Sequence, residues 1–110
     1  MDNRELTREE KNELDILQYI IPKGKENAIL RPELCRRLGL DDRTTRKWIE
    51  RARNNGLFVI NDMDSQGYYI AENDAEIMRQ YKADKGRALS LLKRLKHSRR
   101  YLKEKGYENL

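Results

Sequence analysis

One cysteine, one histidine, one tryptophan and one phenylalanine occur in the 110 residues. A lone Cys35 excludes an internal disulfide and a thiolate metal site, so nothing covalent staples the fold. His97 stands among lysines and arginines without a second ligand or a carboxylate near it in sequence, which argues against a metal centre and against acid–base chemistry. A glycine-rich phosphate loop and a dense carboxylate cluster are also missing. The chain therefore reads as a non-enzyme that uses no cofactor, no metal and no small-molecule ligand. Long apolar runs are lacking too: none approaches the ~18 residues that span a bilayer. The opening MDNRELTREE is not laid out as a secretory signal. A soluble, cytoplasmic protein without a membrane partner is expected. Hydrophobic residues make up 37% and charged residues 39%, with a mean hydropathy of -1.03, so the core must be thin. The length suits one compact domain, or a small domain with an appended helix.

Charge is what the chain has in abundance. The net value of +5 is unevenly spread: -2 over residues 1–30, +4 over 31–53, -4 over 54–81, +8 over 82–105 and -1 over 106–110. Two basic segments in an otherwise acidic chain form a localised footprint for a polyanion.

Local signals place these segments on helices. Thr7 followed by Glu10 has the spacing of a reciprocal N-terminal cap, and Leu14, Leu17 and Ile21 then make an apolar stripe beside Ile16 and Ile20. One helix is expected over 8–21, ended by Pro22 and Gly24. A short extended piece, Ala28 to Leu30, precedes a helix with Pro32 in its first turn, Leu34 and Leu38 facing inward, and Gly39 as its stop. Asp41 or Asp42 caps a third helix reaching about Asn55, with Gly56 beyond it. Short helix, glycine turn and helix is the layout of a helix-turn-helix. The period then changes: Leu57 to Ile60 and Tyr68 to Ile70 are β-prone runs around a polar loop, Asn61 to Gly67, and form a hairpin. Asn73, with Glu76 three residues on, opens a last helix to about Lys105 with a possible bend at Gly86.

This order, mainly α with a small β-hairpin, resembles the winged helix-turn-helix. Residues 12–70 are similar to the small winged domains at the N-terminus of biotin-ligase repressors and in bacterial and phage regulators. The residues that carry the resemblance are Leu34, Cys35, Leu38, Gly39, Leu40, Asp41, Arg43, Thr45, Arg46 and Ile49, then Gly56, then Gly67 to Ile70. Cys35 supplies the small residue, Gly39 the turn, Thr45 the β-branched position and Ile49 the aliphatic one. The basic tail looks like that of small phage-encoded members. The resemblance implies a winged helix-turn-helix domain over 8–72, a basic C-terminal helix or helix pair over 73–105, and a DNA-binding regulator.

Helical geometry agrees. With Thr45 facing the core and ~100° per residue, Ile49 and Ala52 fall on the same side and Arg43, Arg46, Lys47, Glu50, Arg51 and Asn54 on the other. A cationic outward face suits a major groove, where arginine reads guanine and arginine or lysine grips phosphate. Arg43 and Thr44 are placed to meet base edges, and Arg46, Lys47 and Arg51 to meet bases or phosphates. Arg36 and Arg37 are placed for backbone phosphate. Glu50 is expected to pair with Arg46 or Arg53, Trp48 to pack at the core edge, and Cys35 to be a small core residue.

The wing loop carries Asp62 and Asp64 and no cation, so it repels phosphate. Its spacing lacks the glutamate of a calcium loop, and a polar hairpin loop is the better reading. Along the last helix Tyr81, Ala88, Leu95 and Leu102 recur every seven residues with Leu91 between, interrupted by Asp84 and Ser98. Such a stripe suits either packing back on the domain or pairing with a second chain, and the homodimer is favoured because it would let two small modules read two half-sites. The expectation is sequence-specific binding of double-stranded DNA by a transcriptional or phage-lifecycle regulator. The competing class is a protein-interaction module docking a replication or recombination partner through its acidic wing. Single-stranded nucleic acid ranks below both, because no aromatic platform for stacking is evident.

Overall fold

In a computed structural model of the chain, which describes residues 5–62 and 67–110, the Thr7–Glu10 cap closes in both directions. The Thr7 hydroxyl accepts from the Glu10 N–H at 3.1 Å and the Glu10 carboxylate accepts from the Thr7 N–H at 3.2 Å. Two otherwise unpaired donors are satisfied, and helix α1, Arg8–Ile20, begins there. It ends where expected: Ile21, before Pro22, turns extended and donates its N–H to the Leu17 carbonyl at 2.9 Å.

Helix α2, Arg31–Leu38, has Pro32 in its first turn and stops at Gly39, whose φ of 70° is costly for any residue with a Cβ. Helix α3, Asp42–Asn54, follows α2 after three residues. Of the two candidate caps, Asp41 takes the role and accepts from the Thr44 N–H at 2.7 Å. Asp42 is thereby left for ion pairs. Strand β1, Val59–Asp62, pairs antiparallel with β2, Gly67–Ile70, from Val59 opposite Ile70 to Asp62 opposite Gly67. The ladder thus takes in Asn61, Asp62 and Gly67, which the sequence places in the loop. Main-chain pairing accepts polar side chains at a hairpin's open end. Asp64 and the other loop residues, 63–66, lie outside the described residues, as does the side chain of Asp62.

The free edge of β2 is covered by the segment after α1. Ile29 and Tyr68 exchange both main-chain hydrogen bonds, at 2.9 and 2.8 Å. The Pro22 carbonyl accepts from Ile70, and Ile70 in turn accepts from Gly24. A short 3-10 turn, Lys25–Asn27, intervenes, so the expected extended piece reduces to a bridge at Ile29. A Cβ on Gly67 would lie 2.7 Å from the Ile29 carbonyl oxygen, so this close approach needs glycine.

Three helices and the hairpin bury one core. Leu17 of α1 and Ile21 just after it, Leu34 of α2, Ile49 and Ala52 of α3, and Val59, Tyr68 and Ile70 of the hairpin meet there, with Leu14, Ile20, Leu38 and Trp48 at its margin. Each fully buried aliphatic contributes ~1.5–3 kcal/mol by leaving water. Cys35 is half-buried and outside this cluster. The core position on α2 belongs to Leu34, one residue earlier and about 100° around the helix.

Helix α4, Asp74–Glu104, starts on an Asn73 cap whose side-chain oxygen accepts from the Glu76 N–H at 3.0 Å. The buried Glu76 carboxylate accepts from the Glu72 N–H at 2.8 Å. That second bond ties the first turn to the residues before it. The chain divides into two compact units at this turn, Met1–Glu76 and Ile77–Leu110, four residues beyond the boundary expected from the sequence. The second unit is one helix, unbroken through Gly86, and a short tail after Gly106. Among the described residues the protein is mainly helical with one small antiparallel hairpin, and no helix there is long and apolar enough to cross a membrane.

Candidate functional site

Helix α3 presents the chemistry because its inner face is committed. Thr45, Ile49 and Ala52 are buried at the i, i+4 and i+7 positions. The residues opposite them are Arg43, Lys47, Glu50 and Asn54, a ridge at i, i+4, i+7 and i+11 whose members are all exposed. Two cations, a carboxylate and an amide stand in one row. Glu50 and Asn54 fall outside the seven residues that sequence reasoning favours. Counting outward from Arg43 at helical spacing is the signal that finds them.

The seven favoured residues divide by what already holds them. Arg43 and Lys47 make no ion pair among the described residues, and both charges act on the neighbouring Asp41. That carboxyl titrates below its ordinary range. The Thr44 hydroxyl is the largest cause, the Thr44 N–H the next, and the two cations add to them. The Thr44 side chain thus lies beside the cap of α3.

The other four arginines are held by carboxylates. Arg46 pairs with Asp42 at 3.1 Å, and Asp42 also accepts from Arg31 at 2.6 Å, which ties the start of α2 to α3. The Arg31 guanidinium is held charged first by the Tyr68 side chain and then by Asp42. Arg51 makes two parallel bonds to Glu13 of α1, at 3.0 and 2.9 Å. Arg36 and Arg37 share Glu33, whose carboxyl is pulled down to about 2, by Arg36 first and Arg37 second. Exposed pairs of this kind are worth ~0–1 kcal/mol, so each arginine can exchange its carboxylate for a phosphate at small cost.

Glu50 makes no ion pair among the described residues, which corrects the expected pairing. Arg46 is turned to Asp42, and the Arg53 guanidinium donates to the Val59 carbonyl at 2.9 Å. Trp48 packs against the core margin. His97 is exposed on α4. Among the described residues no group of three metal-ligating side chains converges. The outer half of α3 is thus a charged and solvent-facing surface of the first unit, and Arg36 and Arg37 of α2 are exposed cations of the same unit.

Comparison of the chain with known protein families, with curated proteins and with solved structures gives no match.

Proposed function

We propose that residues 8–72 act as a winged helix-turn-helix that binds double-stranded DNA with α3 in the major groove, in a regulator of transcription or of a phage life cycle. One observation carries the reading. The outermost ridge of α3 sets Arg43, Lys47, Glu50 and Asn54 in a row, directly opposite a buried Thr45, Ile49 and Ala52. Each type on that ridge has base-edge chemistry: arginine or lysine for guanine, asparagine for adenine, a carboxylate for the cytosine amino group. Arg36, Arg37, Arg46 and Arg51, already paired at either side, are suited to phosphates that take over from Glu33, Asp42 and Glu13.

Selection of bound duplexes from a random pool, followed by titration of the enriched site against salt, tests this. Arg43→Ala or Lys47→Ala is expected to weaken binding to the enriched site by ~1–3 kcal/mol and to relax base preference. Arg37→Ala is expected to weaken enriched and random duplexes alike and to reduce the salt slope by ~1. Failure to enrich any sequence, or no salt-sensitive binding at low ionic strength, overturns the reading.

A further inference from the structure

The apolar stripe of α4 is interrupted by one carboxylate, Asp84, and one guanidinium, Arg99. Tyr81, Asp84, Ala88, Leu92, Leu95, Arg99 and Leu102 follow one another at steps of three or four residues and stay within ~80° of arc, with Leu91 at the margin. The unit Ile77–Leu110 is a single helix and a tail, so no second helix or strand of that unit packs on this face. Helices draw most of their stability from packing an apolar side, and such a face calls for a partner. Asp84 accepts from Gln80 and Arg87 of its own helix, both at Oδ1, which leaves Oδ2 to accept from elsewhere. Arg99 makes no ion pair among the described residues.

We infer that a second copy of this chain covers the face, with the two α4 helices antiparallel and the two-fold axis between Leu91 and Leu92. In that register Tyr81 lies level with the other copy's Leu102, Asp84 with its Arg99, Ala88 with its Leu95 and Leu91 with its Leu92, and symmetry makes each pair twice. Apolar residues meet apolar ones, and the small Ala88 stands opposite the longer Leu95. The two charges in the face neutralise each other where water and salt screen them least. Other arrangements fail on those charges. Parallel pairing in register sets Asp84 against Asp84 and Arg99 against Arg99. An antiparallel shift of one turn in either direction puts Arg99 level with Ala88 or Tyr81 in place of a carboxylate. A lipid layer would have to take in both charges. At the edges of the dimer Lys85 comes near the other copy's Lys96 and Arg87 near its Arg94, so association should tighten as salt screens these like charges. The inference stands apart from the DNA reading, which concerns α3.

Sedimentation equilibrium of the full chain without nucleic acid tests this. Expected are a dimer that tightens as salt rises and a thermal melting of the helix that moves upward with protein concentration. Leu92→Ser/Leu95→Ser is expected to yield monomers. Asp84→Arg and Arg99→Asp, each alone, are expected to weaken dimerisation more than ~10-fold, because each sets like charges together twice in the seam. The double variant Asp84→Arg/Arg99→Asp restores opposite charges at both places, as does an equal mixture of the two single variants. Both are expected to dimerise again, which a mere loss of helix in the single variants would not allow. Several results overturn the inference. They are a chain that stays monomeric up to ~100 μM, a dimer that Leu92→Ser/Leu95→Ser leaves intact, single charge variants that associate like the parent chain, and a double variant as weak as the single ones. A monomer whose first unit loses thermal stability in Leu92→Ser/Leu95→Ser would place the face on its own chain. A monomer that binds a leucine-seamed helical peptide flanked by glutamate would place it on a different protein. Either result overturns the inference too.

Discussion

Helices α3 and α4 are both strongly basic, and they use the charge in opposite ways. On α3 the apolar face is spent: Thr45, Ile49 and Ala52 are 0, 2 and 3% exposed, and the cations facing away from them are sorted into a ridge and two braced flanks. On α4 the apolar face is open, with Leu91, Leu92 and Leu95 at 50, 60 and 53%. Its cations frame that face on both sides. Net charge alone would rank α4 as the better nucleic-acid binder. Where the leucines go separates the two: buried apolar residues leave a helix one charged surface to offer, whereas exposed ones make the apolar stripe part of what must be recognised.

The largest effect expected to sharpen this contrast is on stability. Ile49→Ala should destabilise the first unit by ~2–5 kcal/mol, because its removal opens a cavity in a core that cannot fully collapse. Leu92→Ala should move the same denaturant midpoint by less than ~0.5 kcal/mol. Equal losses would erase the distinction between a spent and an open face. A smaller effect concerns Thr45, whose buried hydroxyl has no hydrogen-bond partner among the described residues. Thr45→Val, which keeps the branched shape, should raise the urea midpoint by the equivalent of ~1 kcal/mol, since an unpaired buried polar atom is costly. A lower midpoint would mean that the hydroxyl is satisfied after all.

The smallest effect is on pH dependence. The Glu33 carboxyl falls from an ordinary 4.5 to about 2 in the folded chain. A lowered carboxyl adds stability that is present above its unfolded value and is lost as pH falls through the folded one. The contribution of Glu33 should therefore fade between about 4.5 and about 2. Glu33→Gln should flatten that part of an acid titration followed by circular dichroism. An unchanged titration would show that Arg36 and Arg37 lend α2 nothing. A comparable loss near pH 7 would require a different group.

Most helix ends could be read from the sequence because their causes are local. Thr7 and Glu10, Pro22, Gly39 and Gly56 act within a few residues of themselves, so spacing suffices. The partition of α3 into an inner and an outer face followed from its period for the same reason. What could not be read depends on distant neighbours. Nothing near Asp42 in sequence says that Arg31 and Arg46 will both claim it, leaving the cap to Asp41. Arg53 is drawn from Glu50 by a carbonyl on the hairpin, and Arg51 by a glutamate 38 residues away. The bond from Glu72 to the Glu76 carboxylate is likewise not announced by the cap signal at Asn73.

The amino-acid sequence by itself determined the order of helices and hairpin, the absence of covalent staples, and the two basic segments, because composition, capping and periodicity are properties of short stretches. Only the tertiary structure decided which charges remain available. A guanidinium's partner is set by which carboxylate or carbonyl the fold brings within ~3 Å. On that basis Arg43 and Lys47 stand apart from Arg36, Arg37, Arg46 and Arg51, and Glu50 joins them on the outer ridge. Within the second unit, a single helix and a tail, no other element packs on the leucines of α4.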